Sequence, residues 1–152
     1  MNIEKYGMHI PSMSNQDIEF ARRLEEELLQ LEQLKLTTKH TIHGGIYSRT
    51  ITMVEGQALT GAVIVVPTML YVSGRLKIQT GGEIIEIDGT EVIPAGAGRK
   101  QAMYAVEETT ITMSFATNAK TVEEAEAEFT SEPERLISRL DESINFINIT
   151  GE

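Results

Sequence analysis

The stretch Leu70-Tyr71-Val72-Ser73-Gly74-Arg75-Leu76-Lys77-Ile78-Gln79 decides the fold class. Leu76 and Ile78 alternate with Arg75, Lys77 and Gln79, the period of two that turns one face of a strand toward a core and the other toward water. The same period returns downstream, where Ile111, Met113 and Phe115 alternate with Thr110, Thr112 and Ser114. Glu55-Gly56, Gly81-Gly82 and Asp88-Gly89 fall between such runs, each offering a glycine for a turn with positive φ. Enrichment in Thr, Ile and Val agrees with strand preference. Short strands punctuated this regularly predict a sandwich or barrel over residues 37–118, not a parallel α/β sheet.

Helices are predicted on either side. Ser14 to Asp17 has the S-x-x-D form of a capping box, and Ile18, Ala21, Leu24, Leu28 and Leu31 follow at spacings of three and four. A helix over 14–36 is expected, packed on the barrel or on a neighbouring subunit. Beyond the strands, Thr121 to Glu124 and Ser131 to Glu134 each resemble a capping box. Val122, Ala125 and Phe129 share one side, and Leu136, Ile137, Leu140, Ile144 and Ile147 form a helical stripe, so helices are expected over 121–148. With no linker between these segments, residues 1–152 read as a single domain, mainly β with helices at both ends.

At 152 residues the chain suits one core, and a domain of this size buries roughly 70% of its unfolded surface. Aromatics are only 5% and there is no Trp, so the core must rest on Ile, Val, Leu and Met. The absence of cysteine rules out disulfides and thiolate metal sites. Met1-Asn2-Ile3-Glu4-Lys5 lacks the basic start and apolar stretch of a secretory leader, and no apolar run approaches the ~18 residues of a membrane span. A cytoplasmic location without a membrane partner is expected. The net charge of −10 concentrates at the ends, residues 120–152 carrying 3 positive and 9 negative side chains. No Lys/Arg cluster makes a basic face, so nucleic-acid binding is not expected.

Two stretches resemble the paired motifs of the cupin superfamily. Leu70 to Gly74 followed by Arg75-Leu76-Lys77-Ile78 resembles the strand pair that ends the first cupin motif. Pro94-Ala95-Gly96-Ala97-Gly98-Arg99 resembles the second, whose core is P-x-G-x-x-H. The resemblance implies a cupin-like antiparallel β-barrel, or jelly roll, that pairs into a homo-oligomer through strands and flanking helices. The run 44–128 is also similar to small cupin-like proteins of tailed bacteriophages and prophages, which implies a phage-encoded module found in the host cytoplasm or in the virion. Metal cupins take two histidines and an acid from the first motif and a histidine from the second. Counting back from Gly74, those slots fall at about Gly61, Val63 and Pro67, and the last falls at Arg99. None is a usual ligand, so neither metal nor other cofactor is expected.

Arg99, Lys100 and Gln101 form the main polar cluster. In cupins the Arg99 slot points into the barrel, where a guanidinium would bind a carboxylate or phosphate bidentately. Tyr47, Arg49, Tyr71 and Tyr104 are expected nearby, with His43 at the barrel mouth beside Gly44-Gly45. The plainer alternative pairs Arg99 with a barrel glutamate such as Glu83 or Glu91. His40 and His43 are spaced H-x-x-H, but on a strand such residues face opposite sides, which argues against a shared metal. Glu83, Glu86, Asp88 and Glu91 read as a solvated face.

Two functions follow as expectations. One is a non-enzymatic module, either an assembly component whose partners are virion proteins or a binder of a small anionic ligand, with Arg99, Tyr71, Tyr104, Arg49 and His43 as candidate contacts. The other is a metal-independent cupin enzyme of the sugar-nucleotide epimerase or isomerase type, with His43 and Tyr104 or Tyr71 as acid and base and Arg99 orienting the anion.

Overall fold

The computed structural model describes residues 7–152; the Met1–Lys5 stretch lies outside them. Helix α1 (Asn15–Leu28) begins where expected, Ser14 Oγ accepting the Asp17 N–H at 3.1 Å and donating to its carboxylate at 2.9 Å. It stops well short of residue 36. The Gln33 amide folds back onto the carbonyls of Leu28 and Leu31 at 2.8 and 2.7 Å, satisfying helix-end acceptors and leaving Leu31 exposed.

Strands β1 (Thr38–His43), β2 (Ile46–Met53), β3 (Ala58–Thr60), β4 (Thr68–Thr80), β5 (Glu83–Ala95), β6 (Ala102–Ala105) and β7 (Thr109–Ala116) fill the region expected to be β. With β8 (Asn145–Ile149) they form one curled sheet in the order β3-β6-β4-β7-β2-β1-β8, with β5 on β4. The architecture is a mainly β curled sheet flanked by an N-terminal helix and C-terminal helices.

The quoted stretch is the centre of the sheet. β4 pairs with β5 over its whole length, from Thr68 opposite Ala95 to Thr80 opposite Glu83. Its other edge is divided, Met69–Ser73 pairing with β7 and Leu76–Gln79 with β6. Gly74 sits at the division with φ +143°, and a Cβ there would lie 2.5 Å from the Glu108 carbonyl oxygen. Only glycine lets the β6–β7 turn approach so closely. Inward residues such as Val72, Leu76, Ile78 and Ile93 are fully buried, and the rings of Tyr47, Phe115 and Phe129 pack with centroids 5.6 to 6.2 Å apart.

The C-terminal region is only partly helical. Helix α2 (Val122–Phe129) is capped by Thr121, whose Oγ accepts the Glu124 N–H at 3.2 Å. Ser131 caps nothing: Pro133–Arg135 make a single 3₁₀ turn that has no side-chain cap. The expected stripe from Leu136 to Ile147 is broken, with α3 (Ile137–Leu140) giving one turn and Asn145–Ile149 pairing with β1 in parallel as β8. Leu136 and Ile144 are buried, but Leu140 is 73% exposed. The run Asn145-Phe146-Ile147-Asn148-Ile149 is rich in β-branched and aromatic residues, and β1 offers it an open edge.

Candidate functional site

The curled sheet encloses a cavity of about 820 Å³. Its wall follows strand parity. Leu70 and Val72 of β4, Ile111 and Met113 of β7, and Arg49 and Ile51 of β2 all face it, as do Arg99, Gln101 and Met103 on the run leading into β6. Phe129 lines it too, as do Leu31 and Leu34 from the segment after α1 and Leu136 and Leu140 from the C-terminal region.

Arg99 is 1% exposed. Its Nη1 donates to the Gly96 carbonyl and its Nη2 to Thr68 Oγ1, both at 2.6 Å, while Nε donates to Gln101 Oε1 at 3.3 Å. No carboxylate among the described residues lies within ion-pair distance of it. Glu83 and Glu91 are solvent-exposed, so neither provides the expected structural partner. Burial without a counter-charge pushes the Arg99 guanidinium down to about 10. The other cations on the wall each meet a carboxylate. Arg49 meets Glu126 at 3.1 Å, Lys100 meets Glu25 at 2.8 Å, and Arg135 meets the same Glu25 at 3.0 Å. Gln101 Nε2 is the buried side-chain polar atom that has no hydrogen-bond partner among the described residues.

Of the five expected contacts, the structure brings Arg99 and Arg49 to the cavity and leaves three elsewhere. Tyr71 is 46% exposed, because its neighbours Leu70 and Val72 both face inward and a strand sends adjacent side chains to opposite faces. Tyr104, next to the inward Met103, is turned out for the same reason. His43 is exposed and bonds Thr150 Oγ1 at 2.6 Å. The acid–base pair of the enzyme expectation is therefore not assembled around Arg99. His40 and His43 lie on opposite faces of β1, as their spacing implied.

Glu126 was not anticipated. It is buried and holds Arg49, Arg139 (3.0 Å) and Ser138 around its carboxylate. Burial raises the Glu126 carboxyl, but the Ser138 and Arg139 hydrogen bonds and the two guanidinium charges outweigh that, holding it below the ordinary carboxylate value. Arg49 also lies 5.6 Å from the Phe129 ring centroid. The same core region contains His40, whose Nδ1 meets Tyr47 Oη at 2.7 Å and whose Nε2 meets Asn145 Oδ1 at 2.8 Å. The Asn145 amide nitrogen donates to the Ser138 carbonyl at 2.7 Å, so Asn145 Oδ1 accepts from Nε2–H. Burial lowers the His40 pKa.

The positions that the resemblance aligns with metal ligands do not fit a metal. Gly61 and Val63 carry no donor, Pro67 is exposed, and Arg99 offers only protonated nitrogens. Among the described residues, no three of His, Asp and Glu come together in a group that could hold an ion. No helix among them is long and apolar enough to cross a membrane.

No family model matches the chain. No curated protein matches it either. Solved structures similar to it include the cupin domain of Cnp3 from Schizosaccharomyces pombe, at 10% identity, a TM-score of 0.47 and coverage of 60% of this chain and 67% of that one. A cupin-2 domain protein from Shewanella frigidimarina matches at 13% identity and a TM-score of 0.44, over 61% of this chain and 91% of that one. KdgF from Halomonas matches at 14% and 0.48, over 59% and 87%. All three likenesses are at low identity and a TM-score below 0.5, and the curled sheet is described by its own strand order and registers.

Proposed function

We propose that the protein is a non-enzymatic, metal-independent cupin-like module that holds a small anionic ligand in its barrel, with Arg99 as the anchor. One observation carries this reading: Arg99 is the cation on the cavity wall that has no carboxylate among the described residues. A charge left buried and unpaired is costly, and a carboxylate or phosphate guest would supply the missing partner. Native mass spectrometry of the purified protein tests it. A retained anion that disappears in an Arg99→Met variant is the expected result, whereas a stoichiometric transition metal in the wild-type protein would sink the reading.

A second reading, a homo-oligomeric and phage-encoded assembly component, draws on one feature. β8 ends the sheet with its outer edge open and Phe146 and Ile147 exposed at 60% and 56%, the kind of edge that invites pairing with another strand. Sedimentation of the wild type and of Phe146→Lys measures it, a monomer in both cases counting against assembly through this edge.

A further inference from the structure

We infer that the anion is an amphipathic monocarboxylate, an acid with a flexible apolar tail such as a medium-chain fatty acid. This rests on the Arg99 reading above and adds the nature of the ligand's body. The charge balance limits the head group. Arg49, Lys100 and Arg135 each have a carboxylate within 3.1 Å, Glu126 or the shared Glu25, so Arg99 is the lining cation with no carboxylate at ion-pair distance among the described residues. One guanidinium suits a carboxylate, whereas a phosphate dianion would remain half unpaired.

The unused donors point the same way. Among the described residues, three of the five Arg99 N–H groups are engaged, leaving one on each terminal nitrogen, and Gln101 Nε2 has no partner. A guest at this end of the cavity must therefore accept hydrogen bonds without donating them, which describes an ionised carboxylate.

The rest of the wall defines the tail. Leu70, Val72, Ile111, Met113 and Phe129 face the cavity and carry no side-chain hydrogen-bonding group. Against these five residues a sugar or nucleoside would bury hydroxyls without partners, whereas methylenes gain roughly 0.8 kcal/mol each; the hydrogen-bonding side chains of the lining, such as Gln33, Gln57 and Thr60, are on other segments. The opening is apolar as well. Leu31 and Leu34, on the irregular segment after α1, are 63% and 53% exposed. Both line the cavity, as does Leu140 at 73% exposure. A chain too long for the interior would emerge between leucines instead of meeting water.

The test is calorimetric titration of the full-length protein, first stripped of bound lipid, with decanoate, 1-decanol, acetate and inorganic phosphate. Wild type, Arg99→Met and Gln101→Leu are compared, with melting curves confirming that each variant is folded. Decanoate is expected to bind at least tenfold more tightly than the other three, and each variant to lose at least tenfold for decanoate while 1-decanol is unchanged. Acetate or phosphate binding as tightly as decanoate, and lost in Arg99→Met, would overturn the apolar tail while sustaining the anion site. Decanol matching decanoate, with no effect of Arg99→Met, would overturn both. If none of the four binds, both fail.

Discussion

Arg99 Nε donates to Gln101 Oε1 at 3.3 Å, and that bond turns the Gln101 amide so that its Nε2 meets no acceptor. Two residues apart on extended chain, the side chains share a face, and each leaves donors unused toward the same cavity. Polar groups that only fold a protein are normally satisfied by it. On the proposal above, a carboxylate guest would meet the donors this pair leaves over.

The arrangement sets function against stability. Replacing a buried, unpaired charge with an apolar side chain of similar length is often neutral or stabilising. Arg99→Met should leave the unfolding free energy of the ligand-free protein unchanged or raise it by up to about 2 kcal/mol. Urea denaturation measures this. A loss larger than that would mean that the bonds to Thr68 and Gly96 outweigh the cost of burying the guanidinium.

His40 gives the protein an acid limb of its own. Its folded pKa is lowered, so below the ordinary imidazole value of about 6.5 the unfolded chain takes up a proton that the native state refuses. Stability should be level above that pH and fall below it, by at most about 1.4 kcal/mol per pH unit for the single proton. His40→Gln should lose this limb while keeping the steeper loss at lower pH, as read from melting temperatures across pH 4 to 8 (a range of roughly two units either side of the imidazole).

Glu126 is where the sheet and the C-terminal segment are tied together. Removing its charge leaves Arg49, whose side chain is 13% exposed, without its counter-ion. Glu126→Gln should cost about 3 kcal/mol, the range found when one member of a buried pair is deleted. Because its carboxyl is held below the ordinary value, the wild-type contribution is fully present above the carboxylate range and is lost as pH falls through it. The difference between the two proteins should therefore narrow in acid, which chemical denaturation at two pH values will show.

Gly74 tests the bend in β4. A methyl group there would meet backbone oxygen at 2.5 Å, at a φ that other residues rarely adopt. Gly74→Ala is expected to destabilise the fold by about 2–4 kcal/mol. The same change at Gly82, where an added Cβ meets nothing within 4 Å, should be near neutral.

Most of the sheet could be read in the chain because strand period and turn glycines are local signals. Parity was legible too: with Leu70, Val72 and Met103 inward, Tyr71 and Tyr104 had to be outward. Glu126 left a trace as well, since it falls on the stripe of Val122, Ala125 and Phe129, where a charge signals a buried partner. The end of α1 and the identity of β8 were harder. The first depends on one glutamine amide folding back, and the second on an edge that β1 leaves open more than one hundred residues earlier in the chain. Neither is a property of the local sequence.

The divided edge of β4 has a consequence for how the molecule breathes. One continuous strand joins the part of the sheet built on β7 to the part built on β6, while β5 spans both. Neither half can peel away without straining the hairpin that backs the other, so local opening is confined to the rims, at β3, β8 and the leucine-bearing segment after α1. Amide protons along β4 would then exchange only when the whole domain unfolds, and those at the cavity mouth far sooner. Rigidity lies behind the arginine and looseness in front of it, so the proposed guest would enter without the sheet having to open.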